Sequence, residues 1–140
     1  MKSDKLITIE DLFRDLSEDS RELLNWDWDS RFGAVVTSFS KEDEDAVFSL
    51  LKKHFDEEYD NNGISEAEKD VQKLATSFGG VRAGQKLFIR KDDDTFIVFG
   101  AYWPWGNGST VSLRIGIKAS DNITATDIEL ARMVKSWFKS

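Results

Sequence analysis

Residues 86–118, KLFIRKDDDTFIVFGAYWPWGNGSTVSLRIGIK, decide the fold class. Three runs of β-type residues lie in this stretch, separated by two turn signals. Lys86 to Arg90 is the first, the polar run Lys91-Asp92-Asp93-Asp94 turns the chain, and Thr95 to Trp103 is the second. Pro104-Trp105-Gly106-Asn107-Gly108 makes the next turn, and Thr110 to Lys118 is the third run. Phe96, Ile97, Val98 and Phe99 are apolar at successive positions, so both faces of the second strand need cover and it is expected to be central. The third alternates strictly, with Val111, Leu113, Ile115 and Ile117 on one side and Ser112, Arg114, Gly116 and Lys118 on the other. One side faces the core and the other faces water, a ligand or a second copy of the chain, so a homodimer through this side is one of the expected partnerships.

Upstream of the meander the period changes to that of helices. Ile9, Leu12, Phe13 and Leu16 form one stripe after Thr8, a polar cluster from Ser17 to Ser20 interrupts it, and a short further helix is expected at Leu23 and Leu24. Trp26 and Trp28 alternate with aspartates, as on a strand edge with its tryptophans inward. Phe32 to Phe39 reads as an early strand, and Ser40 as the cap of a helix that starts at Lys41. Val47, Leu50, Leu51 and Phe55 extend that helix toward Asn61-Asn62-Gly63. Ser65 with Glu68 forms a capping box for a further helix bearing Ala67, Val71, Leu74, Ala75 and Phe78, which Gly79 should close. Thr126 with Glu129 opens a last helix with Leu130, Val134, Trp137 and Phe138, expected to pack on the sheet. The expected architecture is α+β: an antiparallel sheet of about four strands, one early strand plus the C-terminal three-stranded meander, packed against helices in the order α-β-α-α-β-β-β-α. At 140 residues this is one domain spanning 1–140, able to bury roughly 70% of the surface that its unfolded chain exposes.

Composition excludes several function classes. The chain has no cysteine, which removes disulfides, zinc–thiolate and iron–sulfur sites and a thiol nucleophile. Its single histidine, His54, cannot alone supply a His₂ or His₃ metal site, and its place near Asp56, Glu57 and Glu58 reads as a surface position. With 26 acids against 19 Lys and Arg, the net charge of −7 argues against nucleic acid as a partner, because phosphates need a basic face. The apolar stretch from Phe96 to Trp103 is far short of the roughly 20 residues that cross a bilayer. With a charged amino terminus, Met1-Lys2-Ser3-Asp4-Lys5, this predicts a cytoplasmic protein without membrane contact.

Motifs for bound ions fail on inspection. With Gly63 at the turn position of a calcium loop, Lys69 falls where the bidentate glutamate belongs, and a cation there repels calcium. Gly79 and Gly84 are spaced as in a phosphate loop, but Gln85 and Lys86 replace its Lys and Ser/Thr and a strand follows. No cofactor, metal or catalytic residue is therefore assigned.

Two features stand out instead. Between Lys41 and Asp70 lie eleven acids against four lysines, an excess of seven that equals the net charge of the whole chain. Glu42, Asp43, Glu44, Asp45, Asp56, Glu57, Glu58 and Asp60 are the candidate contacts on what reads as an acidic helix pair, a field able to steer a basic protein. The second feature is the aromatic hairpin, where Trp103 and Trp105 offer flat rings to a partner. The expected function is a small non-catalytic binding module. An inhibitor or immunity-type protein that covers the basic cleft of a nuclease or toxin, with carboxylates standing in for substrate phosphates, would fit. The alternative is a small-molecule or carbohydrate binder with Trp105 as platform and Arg114 or Lys118 as clamp.

Overall fold

A computed structural model of the chain describes residues 4–29, 34–92, 96–106, 108–119 and 132. The expected last helix, Thr126 to Phe138, lies outside the described residues apart from Arg132. Among these described residues three α-helices, α1 (Asp4–Ser20), α2 (Glu44–His54) and α3 (Lys69–Ser77), accompany six strands. The strands are β1 (Asp27–Asp29), β2 (Ala34–Ser40), β3 (Glu57–Tyr59), β4 (Lys86–Asp92), β5 (Phe96–Pro104) and β6 (Thr110–Ala119). They form one antiparallel sheet in the order β1-β2-β6-β5-β4-β3. The class is α+β as expected. The strand count and order are corrected, because β1 and β3 are three-residue edge strands that carry too little alternation to announce themselves.

β5 lies inside the sheet, with Val98 opposite both Arg90 and Ile117. Its consecutive apolar residues feed two cores. Phe96, Val98 and Tyr102 join Val111, Leu113, Ile115 and Ile117 of β6 on one face, beneath Leu12, Phe13 and Leu16 of α1 and Val47 and Leu51 of α2. Ile97, Phe99 and Ala101 meet Val71, Leu74 and Ala75 of α3 on the other. Side chains such as Phe13, Leu16 and Leu51, fully out of water, contribute about 1.5–3 kcal/mol each.

α1 runs through the polar cluster to Ser20, and the expected second short helix is a turn in which Leu23 and Leu24 donate to the Ser20 carbonyl. Buried Ser20 receives the indole N–H of buried Trp26 at 2.9 Å, anchoring the chain as it enters β1. Ser40 caps a 3-10 turn, Lys41–Asp43, through its side chain on the Glu42 N–H, and α2 follows.

α2 stops at His54 instead of reaching Asn61. Phe55 turns extended, its ring lies over Gly100, where a Cβ would sit 3.4 Å from it, and Asp56 donates to the Ile89 carbonyl. Leu51 and Phe55 are spaced as on one helical stripe, but both are buried for different reasons. Ladder bonds to β4 and the space above Gly100 outweigh the six further residues of acidic helix, 55–60. The Ser65–Glu68 capping box does not form either. Ser65 lies in a 3-10 turn, Ile64–Glu66, and α3 starts at Lys69 without a side-chain cap. Gly79 does close α3, at φ +86°, with its N–H on Thr76 and that of Gly80 on Ala75, a Schellman ending.

Candidate partner-binding site

β2 and β5 finish, and β4 and β6 begin, at one end of the sheet. Ser40 lies opposite Thr110, Pro104 opposite Val111, and Lys86 opposite Tyr102. The chain leaving β2 is tied to the β5–β6 hairpin by the Lys41 N–H on the Ser109 carbonyl, 2.8 Å. The acidic turn of residues 42–45 and the aromatic hairpin, some 60 residues apart in sequence, therefore share this end. Trp105 is half exposed, with its backbone N–H on the Thr110 carbonyl at 2.8 Å and its indole N–H on Ser112 Oγ at 2.6 Å. These two bonds fix the ring.

Of the acids at this end, Glu44 is occupied: Tyr102 donates to it at 2.8 Å. Burial, and then this carboxylate, push the Tyr102 phenol far above its ordinary value. Glu42, Asp43 and Asp45 are exposed. They carry the negative potential of this end, since none of the three shares in the ion pairs found among the described residues.

The second acidic group lies elsewhere, and not on a helix. Asp56 precedes β3, Glu57 and Glu58 lie on it, and Asp60 follows it, so the expected acidic helix pair is replaced by one helix start and one edge strand. β3 is four strand spacings from β2, roughly 19 Å. Its alternation splits the acids between the two faces of the sheet. Glu58 reaches Lys86 at 3.2 Å, whose ammonium lies 4.9 Å from the Phe48 ring under α2. Glu57 turns to the α3 side, where the Tyr59 hydroxyl donates to it, and that bond, with burial, pushes the phenol up to about 12. Asp60 spends one oxygen on the N–H groups of Asn62 and Gly63. Asp56 is exposed. Farther along, Glu68 and Asp70 hold Lys91 at 2.7 and 2.8 Å.

Trp103 is no open platform. Its ring is met edge-on by Phe78, at 5.5 Å between centroids, and covered by the Arg114 guanidinium at 4.9 Å. Arg114 in turn donates to Asp29 at 2.9 Å, so one of the two expected clamps, Arg114 or Lys118, is already engaged. No family model, curated protein or solved structure matches this chain.

A feature missed in the sequence is the junction of α1 and α2. His54 is not a surface residue: it is buried, and its Nε2 lies 2.8 Å from Asp19 Oδ2, which also accepts from Lys53 at 3.0 Å. Those two hydrogen bonds, Lys53 first, hold the Asp19 carboxyl below its ordinary value. A cavity of about 340 Å³ opens here between Asp15, Glu18, Asp19, Lys53 and His54. No hydroxyl lines it for the Asp–His pair to activate, and no three ligating side chains converge to hold a metal among the described residues. The signal was present in the spacing: Val47, Leu51 and His54 lie at i, i+4 and i+7, the buried stripe of α2.

Proposed function

We propose that this protein is a non-catalytic binding module, of the inhibitor or immunity type, that engages a basic protein surface with the hairpin end of its sheet. One observation carries the reading: unpaired carboxylates at Glu42, Asp43 and Asp45 and the half-exposed ring of Trp105 share that end. An aromatic anchor beside a charged rim is the arrangement on which protein interfaces concentrate their energy. A standard interface takes about 800 Å² from each partner, roughly 30 Å across, enough to cover both features at once. The acids of β3 add to the long-range field without belonging to the contact, because Glu57, Glu58 and Asp60 already have partners.

The carbohydrate reading has less support. A sugar platform gains from two open rings and a free polar clamp, whereas Trp103 is stacked and Arg114 is bound to Asp29.

The test is capture from the source cell at low salt with immobilised protein, beside the variant Glu42→Gln, Asp43→Asn, Asp45→Asn. Basic proteins retained by the wild type, released by salt and lost with the variant are expected. Identical capture by both forms would overturn the reading.

A further inference from the structure

Twice among the described residues a cation rests between an aromatic ring and a carboxylate. Arg114 lies over Trp103 and donates to Asp29, and Lys86 lies over Phe48 and pairs with Glu58. At the hairpin end a ring and carboxylates recur, and among the described residues no cation of the chain lies over the Trp105 ring or pairs with Glu42, Asp43 or Asp45. Trp105 is the one large hydrophobic side chain exposed among the described residues, and its two N–H groups are spent on Thr110 and Ser112. What the residue still offers is its π face, whose quadrupole attracts a cation. Ser40 and Trp105 both border Thr110, so the backbone at the start of the acidic turn stands about two strand spacings, roughly 10 Å, from the backbone of Trp105.

We infer that the face of Trp105 seats an arginine side chain of a basic partner segment, whose neighbouring cations pair with Glu42 and Asp43. The inference rests on the proposed binding role of this end and names the chemistry that the end selects. Arginine fits better than lysine: its planar, weakly hydrated guanidinium stacks on an indole while leaving edge N–H groups free for a carboxylate. Charge complementarity favours a segment with at least two cations, one on the ring and one at the acidic turn. The fixed indole loses little freedom on binding.

The experiment titrates fluorescently labelled hexa-arginine and hexa-lysine into the full chain and follows anisotropy at one low salt concentration. Wild type should bind hexa-arginine about two- to fivefold more tightly than hexa-lysine. Trp105→Leu should bring the two peptides to equal affinity, and Trp105→Phe should restore part of the preference. The variant Glu42→Gln, Asp43→Asn, Asp45→Asn should weaken both peptides. Far-UV circular dichroism of each variant, expected to be unchanged because these side chains lie outside both cores, confirms the fold. Equal affinities in the wild type, or a preference that survives Trp105→Leu, overturns the arginine seat while leaving the acidic site intact if the triple variant still weakens binding. If instead the triple variant binds both peptides as tightly as wild type, the acidic site itself falls.

Discussion

Glu44, in the first turn of α2, accepts a hydrogen bond of 2.8 Å from the buried phenol of Tyr102 on β5. The bond pins the start of α2 to the centre of the sheet and thereby sets where the acidic turn stands relative to the hairpin. Tyr102→Phe removes the donor and keeps the ring contact with Phe48, 4.9 Å between centroids. Glu44 is half-exposed and regains water, so the expected loss is about 1 kcal/mol, read from urea denaturation.

Both tyrosines of the chain, Tyr59 and Tyr102, have raised phenol pKa values, the first to about 12. Absorbance at the phenolate band should therefore stay flat in the native protein through the ordinary range near 10, and rise there once the chain is unfolded in denaturant. The unfolded state loses these protons first. The stability they contribute is complete below the ordinary value and declines as pH rises toward about 12.

Asp19 gives the opposite sign. Its carboxyl is held below the ordinary 3.8 by Lys53 and His54, so its contribution is present above that value and is lost as pH falls through the lowered one. Asp19→Asn should lower the urea midpoint at neutral pH. The gap between variant and wild type should close in acid, and a constant gap down to low pH would contradict this role.

Two glycines should respond differently to a methyl group. At Gly116, between β2 and β5, a Cβ would stand 2.7 Å from Phe99 Cζ and 2.9 Å from Cε2. The Phe99 ring cannot swing freely, with Phe78 at 5.0 Å between centroids, so Gly116→Ala is expected to cost about 1–3 kcal/mol. At Gly79 nothing lies within 4 Å, and the cost of Gly79→Ala is the left-handed backbone alone, about 1 kcal/mol. Thermal unfolding of the two variants checks the order.

Arg114→Ala leaves the largely covered Asp29 carboxylate without its guanidinium and uncovers the Trp103 ring; side-chain exposures of 12–14% keep most of the pair out of water. A loss of about 2–4 kcal/mol is expected, somewhat below a fully buried pair. Arg114→Lys should restore little of it, because an ammonium cannot both stack and hold the carboxylate edge. Chemical denaturation of the two variants decides.

Much of the fold was legible where the pattern was long. The doubly apolar run of Phe96 to Phe99, the alternation of Val111 to Ile117, and Gly79 at the end of α3 all express local rules that tertiary context reinforces. The short elements were not. β3 has three residues, two of them glutamates, and is a strand only because β4 offers it a ladder. The same holds for the acids: a count along the chain finds the excess between 41 and 70, but the alternation of Glu57 and Glu58 about β3 sends them to opposite faces.

The −7 charge, the concentration of acids in one segment, the absence of cysteine and the central place of Phe96 to Phe99 follow from the sequence by itself, since they depend on residue identity and spacing alone. Tertiary structure alone decided which acids remain free. Tyr102, Lys86 and Lys91 reach Glu44, Glu58, and Glu68 with Asp70 from strands 21 to 58 residues away, and leave Glu42, Asp43 and Asp45 outside the ion pairs of the described residues. The cause is sheet pairing. It places residues remote in the chain within a few ångströms of one another, and counterions are found at that range and not at any spacing along the sequence.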